Sequence, residues 1–219
     1  MKKMIKTLIV TGGNCNEVIL KKIIKENRFN NIIASDRGLE VLDKCNIMPN
    51  YIIGDFDSIN TKILDKYIRN EKIKIIKLNP EKDYTDTHMA IKLAIEIKST
   101  NIILLGATGT RIDHVFGNIH VLKEALDNNI ECKIIDEKNE IQLINKSINL
   151  KLNNEYKYIS LIPLTTNVSG ITLKGFKYSL TNDSLSIGYS LGISNEQIDE
   201  EASIEINEGI LILIKSKDW

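Results

Sequence analysis

Two aspartates spaced i, i+2 close an apolar run in Tyr51-Ile52-Ile53-Gly54-Asp55-Phe56-Asp57-Ser58. If the strand continued through them, both side chains would project to one side. Carboxylates that close repel each other unless a cation lies between them, and Mg²⁺ takes one or two protein carboxylates together with substrate phosphates. The same residues also suit a turn that caps the next helix, with Ser58 or Asn60 as N-cap. Other acids follow other short apolar runs: Asp36 in Ser35-Asp36-Arg37-Gly38, and Asp83 and Asp86 after the run from Ile73 to Leu78. In a parallel sheet the strand C-termini share one edge, so these carboxylates would converge there as a metal-phosphate site. Asp83 and Asp86, taken singly, also fit the start of a helix, where an acid favours the dipole.

A different chemistry ends the run Asn101 to Leu105, in Gly106-Ala107-Thr108-Gly109-Thr110-Arg111-Ile112-Asp113-His114. This is not a Walker A loop, which needs Lys-Ser or Lys-Thr after its second glycine. The glycines still permit close backbone approach to a ligand, and Arg111 offers a planar fork to phosphate oxygens. A helix starting near Asp113 would aim free N–H groups at an anion. A plain strand-to-helix turn, and a core or capping role for His114, are the alternatives. Carboxylates with a metal on one side, and an arginine with backbone amides on the other, make a triphosphate cradle.

The elements that must hold these groups alternate. Strands are expected at Thr7 to Val10, Asn31 to Ala34, the run ending at Gly54, Ile73 to Leu78 and Asn101 to Leu105. Helical spacing is expected at Glu17 to Lys25, from Leu39 to near Asn46, and at Thr61 to Arg69, Thr85 to Lys98 and Asp113 to Leu126. Such alternation predicts a mostly parallel, Rossmann-like α/β sheet with helices on both faces. From Glu131 onward only short β-rich runs appear, among them Cys132 to Ile135, Glu140 to Ile144, Ile148 to Leu152, Tyr156 to Leu164, Ile171 to Lys174, Leu185 to Tyr189, Ala202 to Ile206 and Ile210 to Ile214. Asn153-Asn154 and Asn182-Asp183 suggest hairpin turns. The expected organisation is an α/β domain over 1–130 and an all-β, sandwich-like domain over 131–219, with the strand at Cys132 able to belong to either sheet.

Composition narrows the function classes. Across 219 residues, 29 Lys and Arg balance 29 Asp and Glu. Zero net charge gives no support for a nucleic-acid or membrane-surface role. Cys15, Cys45 and Cys132 show neither a CxxC nor a metal spacing, which argues for a reducing compartment and against a disulfide framework. The first apolar run, Leu8-Ile9-Val10, is too short for a signal peptide, and no run is long enough to span a membrane. A soluble cytoplasmic protein is the expectation.

Gly54-Asp55-Phe56-Asp57-Ser58, Lys82-Asp83-Tyr84-Thr85-Asp86 and the Gly106 to His114 stretch with Asn118 downstream resemble, in that order, the signatures of the thiamine pyrophosphokinase (thiamine diphosphokinase) family. Gly175-Phe176-Lys177-Tyr178-Ser179-Leu180 and Ser194-Asn195-Glu196 resemble the family's thiamine-binding segment. The resemblance implies ATP plus thiamine giving AMP plus thiamine diphosphate, with Mg²⁺ required. It also implies a homodimer whose sites lie between one subunit's α/β domain and the other's β domain. Residue by residue, Asp36, Asp55, Asp57 and Asp86 match the acidic positions around Mg²⁺ and the transferred group. Thr108, Arg111, Asp113, His114 and Asn118 match the nucleotide side, and Tyr178, Leu180, Ser194 and Asn195 the thiamine side. Asp55, Asp57, Asp86 and Arg111 are the catalytic candidates, with Asp57 or Asp86 as base and Asp83 a supporting or substrate-contacting acid. Two positions depart from the pattern: Tyr178 stands where many relatives carry Trp, and Thr110 where many carry Gly. Trp219 does not match the family's tryptophan.

Two other readings fit some of these residues. A haloacid-dehalogenase-type phosphatase also places Asp-x-Asp after an apolar strand and uses the first Asp as nucleophile. Its motif usually continues with Gly-Thr or Gly-Val rather than Ser-Ile, and it predicts no all-β half. A module that senses nucleotide or thiamine without reacting would carry the same binding groups.

Overall fold

Strand order decides where this chain can bind a ligand. The computed structural model describes residues 4–79, 81 and 83–218. Residues 1–3, Pro80, Lys82 of the acidic motif and Trp219 lie outside the described residues.

A first unit extends to Glu137. It runs β1 (Lys6–Val10), α1 (Glu17–Glu26), β2 (Asn31–Ser35), α2 (Gly38–Lys44), β3 (Tyr51–Gly54), α3 (Thr61–Ile68), β4 (Lys74–Lys77), α4 (Asp86–Glu96), β5 (Asn101–Leu105), α5 (Ile112–Asp127) and β6 (Glu131–Ile135). These strands pair in parallel in the order β4-β3-β2-β1-β5-β6. From β1 the chain builds outward one way through β2, β3 and β4, then crosses back to lay β5 on the other side of β1. The reversal between β1 and β5 is a topological switch point, where the loops after the two strands part and leave a crevice.

The apolar composition of the central strands follows from this. Leu8, Ile9, Val10, Ile102, Leu104 and Leu105 are fully buried, because a parallel sheet with helices on both faces offers no solvent side. On one face of the sheet Leu20 of α1, Leu39 and Leu42 of α2 and Ile52 of β3 share a core with Leu8, Val10 and Leu105. The helices start where the side chains allow it: Asn16 caps α1 through Val18 N–H and Ile19 N–H, Asn60 caps α3 through Lys62 N–H, and Thr85 caps α4 through His88 N–H. The turn before α3 is therefore capped by Asn60, one of the two expected candidates.

β3 does not continue through the paired aspartates as a strand would. It ends at Gly54, Phe56 takes a left-handed φ of 70°, and the Asp57 N–H donates to Asp55 Oδ1 at 3.0 Å. The Asp55 side chain closes a turn on its own backbone, as short acids do. The two carboxylates are thus set by a turn and not by strand alternation.

A second unit starts at Lys138 and contains β7 (Asn139–Ile144), β8 (Ile148–Lys151), β9 (Tyr158–Pro163), β10 (Asn167–Lys174), β11 (Leu180–Ser186), β12 (Glu201–Glu205) and β13 (Leu211–Ser216). β13 lies between β7 and β9, and a second sheet runs β11-β10-β12-β8, all antiparallel. Ile144, Leu161, Leu211 and Leu213 from the first of these sheets share one core with Val168, Ile171, Leu173 and Ile204 from the second, the packing of a β-sandwich. β6, the strand that the sequence left between the two sheets, pairs in parallel with β5.

Both asparagine pairs expected at hairpin turns behave otherwise. Asn182 and Asp183 sit inside β11, where Asn182 has φ 48° beside a register shift against β10 and donates its N–H to Thr172 Oγ1 at 2.9 Å. A β-bulge and a turn both need a residue that tolerates the left-handed region, so the same asparagine signal serves either. Consequently β11 begins at Leu180 and ends at Ser186, earlier than the expected run to Tyr189. Asn153 does form a turn, its carbonyl accepting from Tyr156 N–H. It links β8 to β9, which belong to different sheets, so it is not a hairpin. Among the described residues no helix is long and apolar enough to cross a membrane.

Candidate active site

The crevice predicted by the strand order is present. A cleft of about 490 Å³ is lined by Thr11, Gly12 and Gly13 after β1, by the 106–111 loop after β5, by Ser35, Asp36 and Arg37 after β2, and by Thr85, Asp86 and Thr87 at the start of α4. Ser58, His114, Val115 and Asn118 complete the wall.

Backbone approaches that only glycine allows shape its floor. The loop after β1 is zipped to the loop after β5 by Gly13 N–H to Gly106 O at 2.9 Å and Asn14 N–H to Thr108 O at 2.7 Å. A Cβ on Gly13 would lie 2.2 Å from the Gly106 carbonyl oxygen. On Gly54, at φ 157°, it would lie 1.9 Å from Asp36 Oδ1. The Asp36 carboxylate therefore rests directly over the end of β3, which brings the acid after β2 next to the Asp55 turn.

Asp36 and Asp86 line the cleft, and Asp86 is half-buried. Asp55 is half-buried and Asp57 exposed, and neither lines the cleft, although their neighbour Ser58 does. Asp83 is exposed and away from the lining. The expected convergence of five acids is thus realised in the wall by two of them, with the Asp55–Asp57 turn alongside. Among the described residues, no three His, Cys, Asp or Glu side chains gather closely enough to hold a metal by themselves.

On the other side, Arg111, Thr108, His114 and Asn118 line the cleft, whereas Asp113 faces Arg111. Arg111 forks onto the Asp113 carboxylate, Nη2 to Oδ2 at 2.6 Å and Nε to Oδ1 at 3.3 Å. That guanidinium holds the Asp113 carboxyl below the usual carboxylate range. Arg111 is also the N-cap residue of α5, and its side chain makes no cap hydrogen bond to the backbone of the first turn. The Thr108 Oγ1 is buried and finds no hydrogen-bond partner among the described residues.

Asn118 is buried and donates Nδ2 to the Ala107 carbonyl at 2.7 Å, tying α5 to the β5 loop. Removing it strands a buried carbonyl, at a cost of about 1–3 kcal/mol. Asn118→Ala is accordingly expected to lower the unfolding free energy measured in urea by that amount, with a lower midpoint at unchanged slope; an unchanged midpoint would contradict the tie.

The residues expected on the thiamine side gather within the second unit. Asn195 is buried, accepts the Tyr178 N–H on Oδ1 at 3.0 Å and returns Nδ2 to the Tyr178 carbonyl at 2.7 Å. Its amide is spent on backbone, so it sets the stretch on which Tyr178 stands. The Tyr178 ring is exposed, with Lys177 Nζ 5.6 Å from its centroid. Ser194, at φ 57°, is fixed by its N–H to Ser160 Oγ at 2.9 Å, and Leu180 opens β11 half-buried.

Sequence reasoning singled out neither Thr11, Gly12 and Gly13 nor Ser35, Arg37 and Thr87 as site residues. A signal for the first three existed: a glycine pair after the first strand of an α/β unit sits at the switch point.

Comparison with known proteins adds to this geometry. Residues 20–134 match the family model described as "Thiamin pyrophosphokinase, catalytic domain", and residues 145–211 match "Thiamin pyrophosphokinase, vitamin B1 binding domain". The chain is 36% identical over 194 residues to the thiamine pyrophosphokinase of Bacillus subtilis (strain 168), covering 85% of this chain and 87% of that one. Its fold is similar to the crystal structure of thiamine pyrophosphokinase from Bacillus subtilis, with TM-score 0.88, 31% identity, and 98% of this chain and 100% of that one covered. It is also similar to that of thiamin pyrophosphokinase from Geobacillus thermodenitrificans, with TM-score 0.85, 31% identity and 98% of each chain covered.

Proposed function

The chain belongs to the thiamin pyrophosphokinase family, and from that premise we propose how its cleft carries out the family's reaction. The enzyme transfers a pyrophosphoryl group from ATP to the hydroxyl of thiamine, giving thiamine diphosphate and AMP. The observation that carries the reading of the site is the cleft at the β1/β5 switch point, which sets Asp36 and Asp86 among Arg37, Arg111 and His114.

The thiamine hydroxyl attacks the β-phosphorus in line, and AMP leaves. Such transfers need positioning and charge neutralisation more than covalent chemistry from the protein. Asp86, in the wall at the first turn of α4, is better placed than exposed Asp57 to accept the hydroxyl proton, since geometry is the first requirement of a general base. The start of α5 turns backbone N–H donors toward phosphate oxygens, and the Arg111 guanidinium beside it adds positive charge while it is paired with Asp113. Tyr178 presents an exposed aromatic face that suits a cationic ring.

The donor set fits Mg²⁺. It is all oxygen, and Mg²⁺ is usually held by one or two carboxylates with substrate phosphates and water, so a cluster of three protein ligands is not required. Asp36 and Asp86, with Asp55 and Asp57 in the adjoining turn, would hold it. When bound it neutralises charge on the transferring phosphoryl oxygens. Chelation with EDTA is expected to abolish turnover and added Mg²⁺ to restore it; full activity in EDTA would contradict this assignment.

The reading includes a homodimer in which the α/β unit of one subunit meets the β-rich unit of the other. Ile187, Tyr189, Leu191 and Ile193, 60, 78, 62 and 45% exposed, support a surface that is covered in the working enzyme. A solution mass of one chain at working concentration would contradict it.

A further inference from the structure

We propose that Arg37, with the hydroxyls of Ser35 and Thr108, grips the phosphates of the nucleotide in this cleft, while Arg111 is held back by Asp113. The inference rests on the functional reading above and deepens it.

A nucleoside triphosphate entering this cleft meets Asp36 and Asp86, and the charge a divalent cation leaves unbalanced calls for positive donors in the wall. Of the two guanidinium groups in the wall, that of Arg111 is committed to Asp113. Arg37 is exposed, and among the described residues its guanidinium makes no ion pair or hydrogen bond. Its backbone, by contrast, is fixed. The Asp36 carbonyl accepts from Leu39 N–H and the Arg37 carbonyl from Glu40 N–H, each at 3.0 Å. A Cβ on Gly12 would come within 3.0 Å of Arg37 Cβ, so the bare glycine of the β1 loop leaves room for Arg37 beside the cleft.

In the same cleft, Ser35 is 1% exposed, belongs to the lining, and keeps an Oγ with no partner among the described residues. Thr108 Oγ1, from the β5 loop, is buried and unpartnered in the same way. Buried hydroxyls left unpaired are costly, so two of them in one cleft point to an occupant with acceptor oxygens. A guanidinium and two hydroxyl donors in the lining of one cleft are the complement of a polyphosphate.

The test compares Arg37→Gln, Arg37→Lys and Ser35→Ala with the parent chain. Steady-state kinetics give KM for ATP and for thiamine, and calorimetry measures binding of ATP, inorganic pyrophosphate and adenosine. Arg37→Gln is expected to raise KM for ATP about tenfold, the effect of one charge-assisted hydrogen bond. It should weaken pyrophosphate similarly, leave adenosine and thiamine within about twofold, and flatten the salt dependence of ATP binding. Arg37→Lys should recover part of the loss, and Ser35→Ala should show a smaller loss in the same direction. Unchanged ATP and pyrophosphate binding in Arg37→Gln, or an equal loss for adenosine, would overturn the proposal. If the parent chain binds ATP but forms no thiamine diphosphate, the functional reading fails while the calorimetric arm still decides the role of Arg37.

Discussion

Asp86→Asn is expected to lower kcat by about 10²–10³-fold while leaving the fold intact. The substitution is close to isosteric, and Asp86 is not the cap of its helix, because Thr85 Oγ1 accepts the His88 N–H at 3.2 Å. Loss of one acid from the first turn costs only about 0.3–1 kcal/mol of interaction with the helix dipole. Its charge is what the cleft loses, both as proton acceptor and as a partner for a divalent cation. Several kcal/mol of transition-state stabilisation at about 1.4 kcal/mol per tenfold gives the stated range. The check is kcat beside a thermal melt. Near-parental turnover with a parental melt would remove Asp86 from the chemistry and return the choice of base to Asp57.

The second large effect lies in the floor. Gly106 has φ 74°, and a Cβ there would meet the Thr11 carbonyl oxygen at 2.4 Å and its carbon at 3.0 Å. Both are backbone atoms of the loop zipped to it, so neither can swing aside. Gly106→Ala combines left-handed strain of ~1–2 kcal/mol with overpacking of ~1–3 kcal/mol. A melting temperature lower by roughly 5–15 °C is expected for a chain of this size, with loss of ATP binding as the two loops part. Gly117→Ala is the control: it sits inside α5, and a Cβ there meets nothing within 4 Å. It should leave the melt unchanged or raise it slightly. Equal melts for the two variants would show that the floor is not held by this approach.

Much of the α/β half was legible because its periodicities do not compete. Apolar runs such as Asn101 to Leu105 are too short for helices, and Glu17 to Lys25 repeats its apolar residues at helical spacing only. The β-rich half was legible as strands but not as pairings. Asn182 shows why: tolerance of positive φ marks a bulge as readily as a turn, and the choice is made by Thr172 across the sheet.

In the site, acids at strand ends could be found because charge after an apolar run is conspicuous. Ser35 could not, since a lone hydroxyl signals function only when burial leaves it without a partner, whereas Thr108 was reached only through the family resemblance of its loop. Arg37 became visible only beside Arg111. Two arginines look alike in sequence, and the difference is that one is paired with Asp113.

Pyrophosphoryl transfer to thiamine is tested most directly by AMP release from ATP and Mg²⁺ with and without thiamine, followed by mass analysis of the thiamine product. The predicted result is AMP that depends on thiamine, formed in equal amount with thiamine diphosphate. Orthophosphate released without AMP, or ATP bound with no turnover, would contradict it.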